Sequence, residues 1–181
     1  IASILVARGN IAAGKWVKGL VENMARRPQG GDTDQIRAVA SGEADVAIVN
    51  SYYYGRLLAS GKDSDREVVT SVGIFFPNQK DRGTHMNVSG GAIIKTARNV
   101  NQAVELLEFL SSDLAQFMYA QVNHEYPVKS GTQLSSIVKS FGSKQEGIKK
   151  GVFKKDSISL SKIGNLRKEA IKILDQVGFD L

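Results

Sequence analysis

Three consecutive tyrosines, Tyr52, Tyr53 and Tyr54, are the residues of this chain best placed by type and spacing to do chemistry. They close the run Val49-Asn50-Ser51-Tyr52-Tyr53-Tyr54, which follows a short apolar stretch and opens a helix-like one. A free phenol has a pKa of about 10, so a phenolate at neutral pH needs strong positive charge beside it. A trivalent hard cation supplies that charge, and phenolate is a hard oxygen donor that suits ferric iron better than a soft metal. The junction is favourable too. Ligands of α/β sheets bind outside the carboxyl ends of strands, and a helix start presents free N–H groups and a positive dipole end. Adjacent residues on a regular helix diverge, so two tyrosines in sequence can reach one ion only from an irregular helix start. Ser51 as N-cap would put Tyr52 and Tyr53 there and turn Tyr54 into packing. On the residues alone, aromatic packing is the commoner fate of such a run, and both readings stand.

Other chemistries find little support. There is no cysteine, which excludes thiolate metal sites, disulfides and a Cys nucleophile. The two histidines, His85 and His124, lie far apart, and each lacks a Ser-and-acid arrangement; both read as structural or exposed. No nucleophile elbow, P-loop, zincin motif or dinucleotide fingerprint occurs, so an enzyme is not expected. The net charge of +6 is spread along the chain. Its densest cluster, Lys149, Lys150, Lys154 and Lys155, has no aromatic platform and reads as a solvated face, not a nucleic-acid patch. No stretch has the length of a transmembrane helix. The chain begins at Ile1 without Met or a signal peptide, and residues 1–6 already read as the inside of a helix, so a leading segment is expected to be missing.

The elements that must position the tyrosines follow from periodicity. Trp16, Leu20 and Met24, with Val17 and Val21, form one helical stripe after a first apolar segment ending near Gly9. Pro28, Gly30 and Gly31 break the chain. Asp32 and Gln35 read as a capping box opening a helix with Ile36, Val39 and Ala40 inside and Gly42 as its stop. Residues 45–50 are apolar and β-branched, as in a strand buried on both faces of a parallel sheet. Residues 51–59 restart a helix. Residues 68–76 read as a second strand stopped at Pro77, and 87–94 as an extended stretch bent or closely approached at Gly90-Gly91. Helices are expected over 100–110, with Val104, Leu107 and Leu110 inward, and from a Ser112-Asp113 cap with Leu114, Phe117, Met118 and Val122. A short helix within 133–141 and a final one over 161–177 complete the chain. Helix and strand alternating with tight connections is an α/β pattern.

The stretches Arg27-Pro28-Gln29-Gly30-Gly31-Asp32-Thr33-Asp34-Gln35 and Ala38-Val39-Ala40-Ser41-Gly42-Glu43-Ala44-Asp45-Val46-Ala47-Ile48, leading into the tyrosine run, closely resemble the ferric-ion-binding periplasmic proteins of bacterial iron ABC transporters. Asn87-Val88-Ser89-Gly90-Gly91 resembles that family's return strand. Glu125-Tyr126-Pro127-Val128 resembles its loop near a lobe crossover, and the helix from Ser161 also fits. The tandem tyrosine is the specific part, because relatives carrying other solutes share the fold without it.

The resemblance implies an α/β, type II periplasmic-binding-protein clamp of two lobes with ferric iron in the cleft. It implies Tyr52 and Tyr53 as tyrosinate ligands, a synergistic anion such as carbonate or phosphate, and Asn50 as a residue that helps hold that anion. Asp32 falls where some members contact the anion through a neutral side chain; an acid there would repel it, so Asp32 stays outside the site. The chain resembles only the later part of such a protein and lacks much of the first lobe. Residues 1–82 and 133–181 would form most of the second lobe, and 83–132 an excursion belonging to the first. The implied function is capture of ferric iron and delivery to an inner-membrane ABC permease, in the periplasm or on a lipid anchor outside the cytoplasmic membrane. Neither catalysis nor nucleic acid is involved, and the exposed first-lobe remnant offers a dimer surface. Two alternatives stand beside it: a solute-binding protein for a small anion or organic ligand, and a truncated lobe that binds nothing by itself.

Overall fold

A computed structural model of the protein describes residues 1–179. Nine α-helices account for most of its regular structure: α1 Ala2–Glu22, α2 Asp32–Ala40, α3 Ser51–Ala59, α4 Asp63–Ser71, α5 Val100–Leu110, α6 Asp113–Met118, α7 Ser136–Ser140, α8 Leu160–Asn165 and α9 Arg167–Val177. A π-helical turn, Tyr119–Asn123, extends α6. None of the described helices is long and apolar enough to cross a membrane.

Several helix boundaries are written in the sequence. Gly9 breaks α1 with φ of 78°, where the first apolar segment was expected to end. Gly42, with φ of 78°, follows the C-cap of α2. The Ser112 side chain caps α6 by accepting from the Ala115 N–H at 3.3 Å. The final helix divides at Leu166 into α8 and α9.

The buried faces differ from those the stripes suggest. In α1 the core residues are Ala13 and Val17, with Leu5 before the break, while Trp16 is largely exposed. None of the α5 residues is buried, so Val104, Leu107 and Leu110 do not form an inward stripe. On α6 the buried residues are Ala115 and Gln116, and Leu114, Phe117, Met118 and Val122 face solvent.

The strands are the larger departure. Residues 63–71 are helix α4, so only 72–76 of the second expected strand is extended. Residues 45–50 and 87–94 are extended or irregular. No hydrogen-bonded ladder forms among the described residues, and the only pairings among them are single bridges, Thr84 with Lys155 and Lys149 with Val152. Val46 and Ile48, expected in a doubly covered strand, are 81% and 71% exposed. Two glutamine amides take the part of missing strand partners. Gln145 accepts from the Phe76 N–H at 2.8 Å and donates to the Phe76 carbonyl at 2.7 Å. Gln79 treats Lys154 in the same way, at 2.7 and 3.1 Å. Each pairs with both the backbone donor and the backbone acceptor of one residue, and the Lys154 carbonyl also accepts from the Thr84 N–H at 2.9 Å.

Three apolar clusters replace a single core. Leu5, Ala13 and Val17 of α1 pack on Ala170 and Ile173 of α9. Ile36, Leu57 and Val68 join α2, α3 and α4. Phe76, Val138, Phe141, Ile148 and Phe153 form the third, with Phe76 stacked on Phe153 at 4.1 Å and Tyr126 edge-on to Phe153 at 5.1 Å. The Tyr126 hydroxyl donates to the Gly151 carbonyl at 2.8 Å, and burial pushes its pKa well up. Arg82 links the first cluster to the 150s by donating to Ser3 Oγ at 2.8 Å and to the buried Asp156 at 2.7 Å. At the same crossing Gly83, with φ of 95°, lies where a Cβ would stand 2.7 Å from the Lys154 carbonyl oxygen, so only glycine allows the bridge at Thr84.

Phe141 is fully buried and touches both Tyr54 and Tyr126. Phe141→Ala is expected to lower unfolding free energy by about 3–5 kcal/mol, read as a reduced urea midpoint. An unchanged midpoint would show that the aromatic cluster does not hold the fold.

Candidate metal centre

The site is built where α2 and α3 start side by side. The N-cap of α2 is Gly31, not Asp32, and Asp34 completes the reciprocal half of the cap by accepting from the Gly31 N–H at 2.7 Å. Asp32 is thereby free to act elsewhere. One of its oxygens, Oδ1, accepts from the Asn50 backbone N–H at 2.6 Å and from Asn50 Nδ2 at 3.0 Å. Asn50, not Ser51, is the N-cap of α3, with extended backbone angles (φ −76°, ψ 134°). Its Oδ1 accepts from Asn87 Nδ2 at 2.8 Å, which draws the stretch after residue 83 to the same point.

This arrangement places Tyr52 and Tyr53 in the first turn of α3, where their rings lie with centroids 4.3 Å apart and planes inclined by 31°. Both are half-buried. The Arg56 guanidinium stands 5.0 Å from the Tyr52 ring centre and 5.3 Å from that of Tyr53. The spacing explains the double contact, since Arg56 is four residues beyond one tyrosine and three beyond the other. Tyr54 points away into the apolar clusters, 5.8 Å from Phe141, and its hydroxyl donates to the Val72 carbonyl at 3.4 Å. Burial raises its pKa.

Tyr52 resists ionisation in the metal-free protein. The Tyr52 pKa is pushed up to about 12, first by the hydrogen-bonding interaction with the Tyr53 phenol, then by desolvation and by the charges of Tyr53 and Asp32; Arg56 opposes the rise. Among the described residues no group of three or more His, Cys, Asp or Glu side chains is arranged to hold a metal ion. The two phenol oxygens and the Asp32 carboxylate are the hard oxygen groups at this corner.

Behind α3 lies one of the two histidines read as structural or exposed, here buried. His124 follows the π-helical turn in a left-handed conformation (φ 60°, ψ 28°), is 6% exposed, and its Nδ1 has no hydrogen-bond partner. Its approach to α3 depends on Gly55, where a Cβ would stand 2.6 Å from the His124 Cβ. Desolvation first, and Arg56 second, lower the His124 pKa. Arg56, Asn87 and the carboxylate of Asp32 also belong to this neighbourhood. Only Arg56 carried a spacing signal; the other two come together through the chain's path. His85 is exposed, as are Lys149, Lys150, Lys154 and Lys155.

No family model matches the chain. Curated relatives do. Iron uptake protein A1 of Synechocystis is 48% identical over 179 residues, which are 99% of this chain and 47% of the relative. The major ferric iron-binding protein of Neisseria meningitidis is 30% identical over 128 residues, 71% of this chain and 37% of its own. Among solved structures, a Trichodesmium protein in complex with iron and citrate superposes with a TM-score of 0.86 at 45% identity, over 98% of this chain and 54% of that one. The ferric binding protein from Campylobacter jejuni gives 0.89 at 45% identity, over 98% and 53%. The chain thus spans about half the length of the relatives it matches, with their fold over that half.

Two measurements check the site's electrostatics. Ultraviolet titration of the metal-free protein is expected to show a tyrosine ionising near pH 12, and Tyr53→Phe should bring that step back toward the ordinary value of about 10; a titration unmoved by Tyr53→Phe would remove the hydrogen bond as the cause. Because burial and Arg56 lower the His124 pKa, below the unfolded value of about 6.5 the unfolded chain takes up the proton more readily and stability falls with pH. His124→Asn, which tolerates the left-handed backbone, should flatten the loss of thermal stability between neutral and mildly acidic pH.

Proposed function

Because the chain belongs to the same family as the iron uptake and ferric iron-binding proteins, we propose that it forms part of a clamp that captures ferric iron through the phenolate oxygens of Tyr52 and Tyr53. The observation that carries this reading is the pair itself: two adjacent phenols brought side by side at a helix start, with one guanidinium beside both rings. Phenols held ring to ring at the start of α3 can supply two hard oxygen donors, while Tyr54 is spent on packing.

Capture is coupled to proton release. With no cation present, the hydrogen bond between the phenols and the Asp32 charge keep Tyr52 protonated. A ferric ion supplies the charge that favours phenolate, and each tyrosine that ligates gives up its proton. Binding therefore weakens as pH falls. Arg56 lowers the cost of ionising Tyr52 but does not remove it. A synergistic anion such as carbonate or phosphate would meet the second hydrogen of Asn50 Nδ2, the first being held by Asp32; the carboxylate of Asp32 disfavours any anion that comes close. The remaining donors come from polypeptide beyond this chain.

In the whole clamp, residues 1–82 and 133–181 contribute to the lobe that carries the tyrosines, and 83–132 to the opposite lobe, with Asn87 touching Asn50 where the two meet. Closure over the ion then commits it for delivery to an inner-membrane ABC permease, outside the cytoplasm, with no chemical turnover.

Ferric iron presented as a weak chelate to the protein should produce a visible tyrosinate-to-iron charge-transfer band, with uptake of iron releasing protons. The Tyr52→Phe, Tyr53→Phe double variant should lose the band. A band that persists in the double variant overturns the assignment. Tight binding of phosphate or a sugar phosphate with no response to iron would move the protein to the anionic-solute reading.

A further inference from the structure

Lysine gathers around the turn that precedes Phe153. Residues 139–156 hold six lysines against two acids. One of the acids, Asp156, is buried against Arg82, which leaves Glu146 as the exposed one. The lysine ion pairs among the described residues lie elsewhere, at Lys18, Lys129 and Lys172. The chain's path brings several of these unpaired ammonium groups to one tight turn. Lys149 bridges to Val152. A Cβ at Gly151 would overlap the Val138 carbonyl oxygen and stand 3.2 Å from the Lys139 Cα, so Lys139 lies beside the turn. Lys154 is tied through its backbone to Gln79 and through its ammonium to the Asp81 carbonyl, which sets Lys80 at the same corner. The Asp81 carboxylate is taken by Arg8 and does not neutralise the lysines.

The turn is firmly anchored. Phe153, next to it, is buried and stacked on Phe76 at 4.1 Å, and the Tyr126 hydroxyl holds the Gly151 carbonyl at 2.8 Å. Lys150 has φ of 50°, a left-handed conformation that a residue with a Cβ adopts only at a cost. Between these charges Val152 is 62% exposed. The chemistry of the patch selects among acidic partners. Planar carboxylates on a protein are best met by the arginine fork, and residues 139–156 contain no arginine. Bases of a nucleic acid need an aromatic face, and Phe141 and Phe153 are both buried. Clustered lysines around an exposed apolar side chain instead match a surface with phosphate outside and hydrocarbon beneath. We propose that the turn 149–152, with Lys139, Lys154 and Lys155 around it, docks the protein on the anionic headgroups of a lipid bilayer. The ammonium groups meet headgroup phosphates, and Val152 enters the interface below them. This docking does not rest on what the tyrosines bind.

Co-sedimentation of the 181-residue chain with vesicles, with no iron added, tests the proposal. Vesicles of equal parts phosphatidylglycerol and phosphatidylcholine should bind it, and salt should weaken that binding. Pure phosphatidylcholine vesicles should bind little. Lys149→Glu with Lys150→Glu should cut binding by about tenfold or more. Lys162→Glu with Lys168→Glu, an equal charge change at exposed positions on α8 and α9, should leave it unaltered. Lys150→Gly should raise the thermal midpoint, because glycine relieves the left-handed backbone, and yet weaken binding. Val152→Ser changes no charge and should also weaken it. Equal binding to neutral vesicles would overturn the proposal, since the chain's other apolar surfaces would then be the cause. So would equal losses from both charge-reversal pairs, which would leave only net charge, or a Val152→Ser variant that binds unchanged. Retention on polyglutamate but not on the mixed vesicles would overturn it in favour of an acidic polypeptide. None of these outcomes alters the iron reading, whose readout is the charge-transfer band.

Discussion

A single carboxylate oxygen, Asp32 Oδ1, holds the beginnings of two helices together by accepting both the backbone N–H and the side-chain amide of Asn50. Hydrogen bonds to an ionised acceptor are roughly twice as strong as neutral ones, and these two fix where α3 starts. Asn50 then becomes the N-cap, Ser51 the first helical residue, and Tyr52 and Tyr53 fall in the first turn. The oxygen of the Asn50 amide accepts from Asn87 Nδ2 and brings the 83–132 stretch to the same corner. The tie has an electrostatic cost: the charge that positions the tyrosines also resists the ionisation of Tyr52. Arg56 offsets part of that resistance, and a bound trivalent cation would offset the rest. Metal-free Tyr52 is therefore stable as a phenol.

The opposite side of α3 is committed to packing. Tyr54 and Leu57 join the apolar clusters, and Gly55 leaves room for His124 to lie against the helix. That contact places a buried imidazole with an unpaired nitrogen behind the tyrosines, in a left-handed backbone conformation after a π-turn. Both features recur at functional sites. α3 is held between a charged tie on one side and a close glycine–histidine contact on the other, which leaves its first turn little freedom to reorient.

Much of the helical scaffold was legible. Gly9, Gly42 and Ser112 act as local signals whose effect does not depend on distant partners, and each ends or starts a helix as its chemistry dictates. α5 was located by period alone. Burial was not legible in the same way. The stripe Trp16, Leu20, Met24 and the inward faces given to α5 and α6 assumed that apolar periodicity finds a partner within this chain. The strand at 45–50 failed for the same reason: a strand is completed by a ladder from elsewhere, and this segment has none among the described residues, whereas 87–94 is extended or irregular and is closely approached at Gly91, where a Cβ would stand 2.8 Å from the Leu107 side chain. Residues 68–71 were misread because Val68 and Val69 suit a strand, whereas Asp63 and Asp65 in the first turn favour α4.

The sequence by itself determined that a tyrosine run follows a β-branched segment at a helix start, that thiolate and histidine-rich metal sites are excluded, and that Tyr54 would turn inward. These follow from residue type and from the angle between neighbours on a helix. Only the tertiary structure decided that Asn50 and not Ser51 caps α3, that Asp32 belongs to the site as its anchor, and that Asn87, Arg56 and His124 surround it. Those residues lie up to 92 positions apart in the chain, and what joins them is hydrogen-bond and steric geometry, which has no period in sequence.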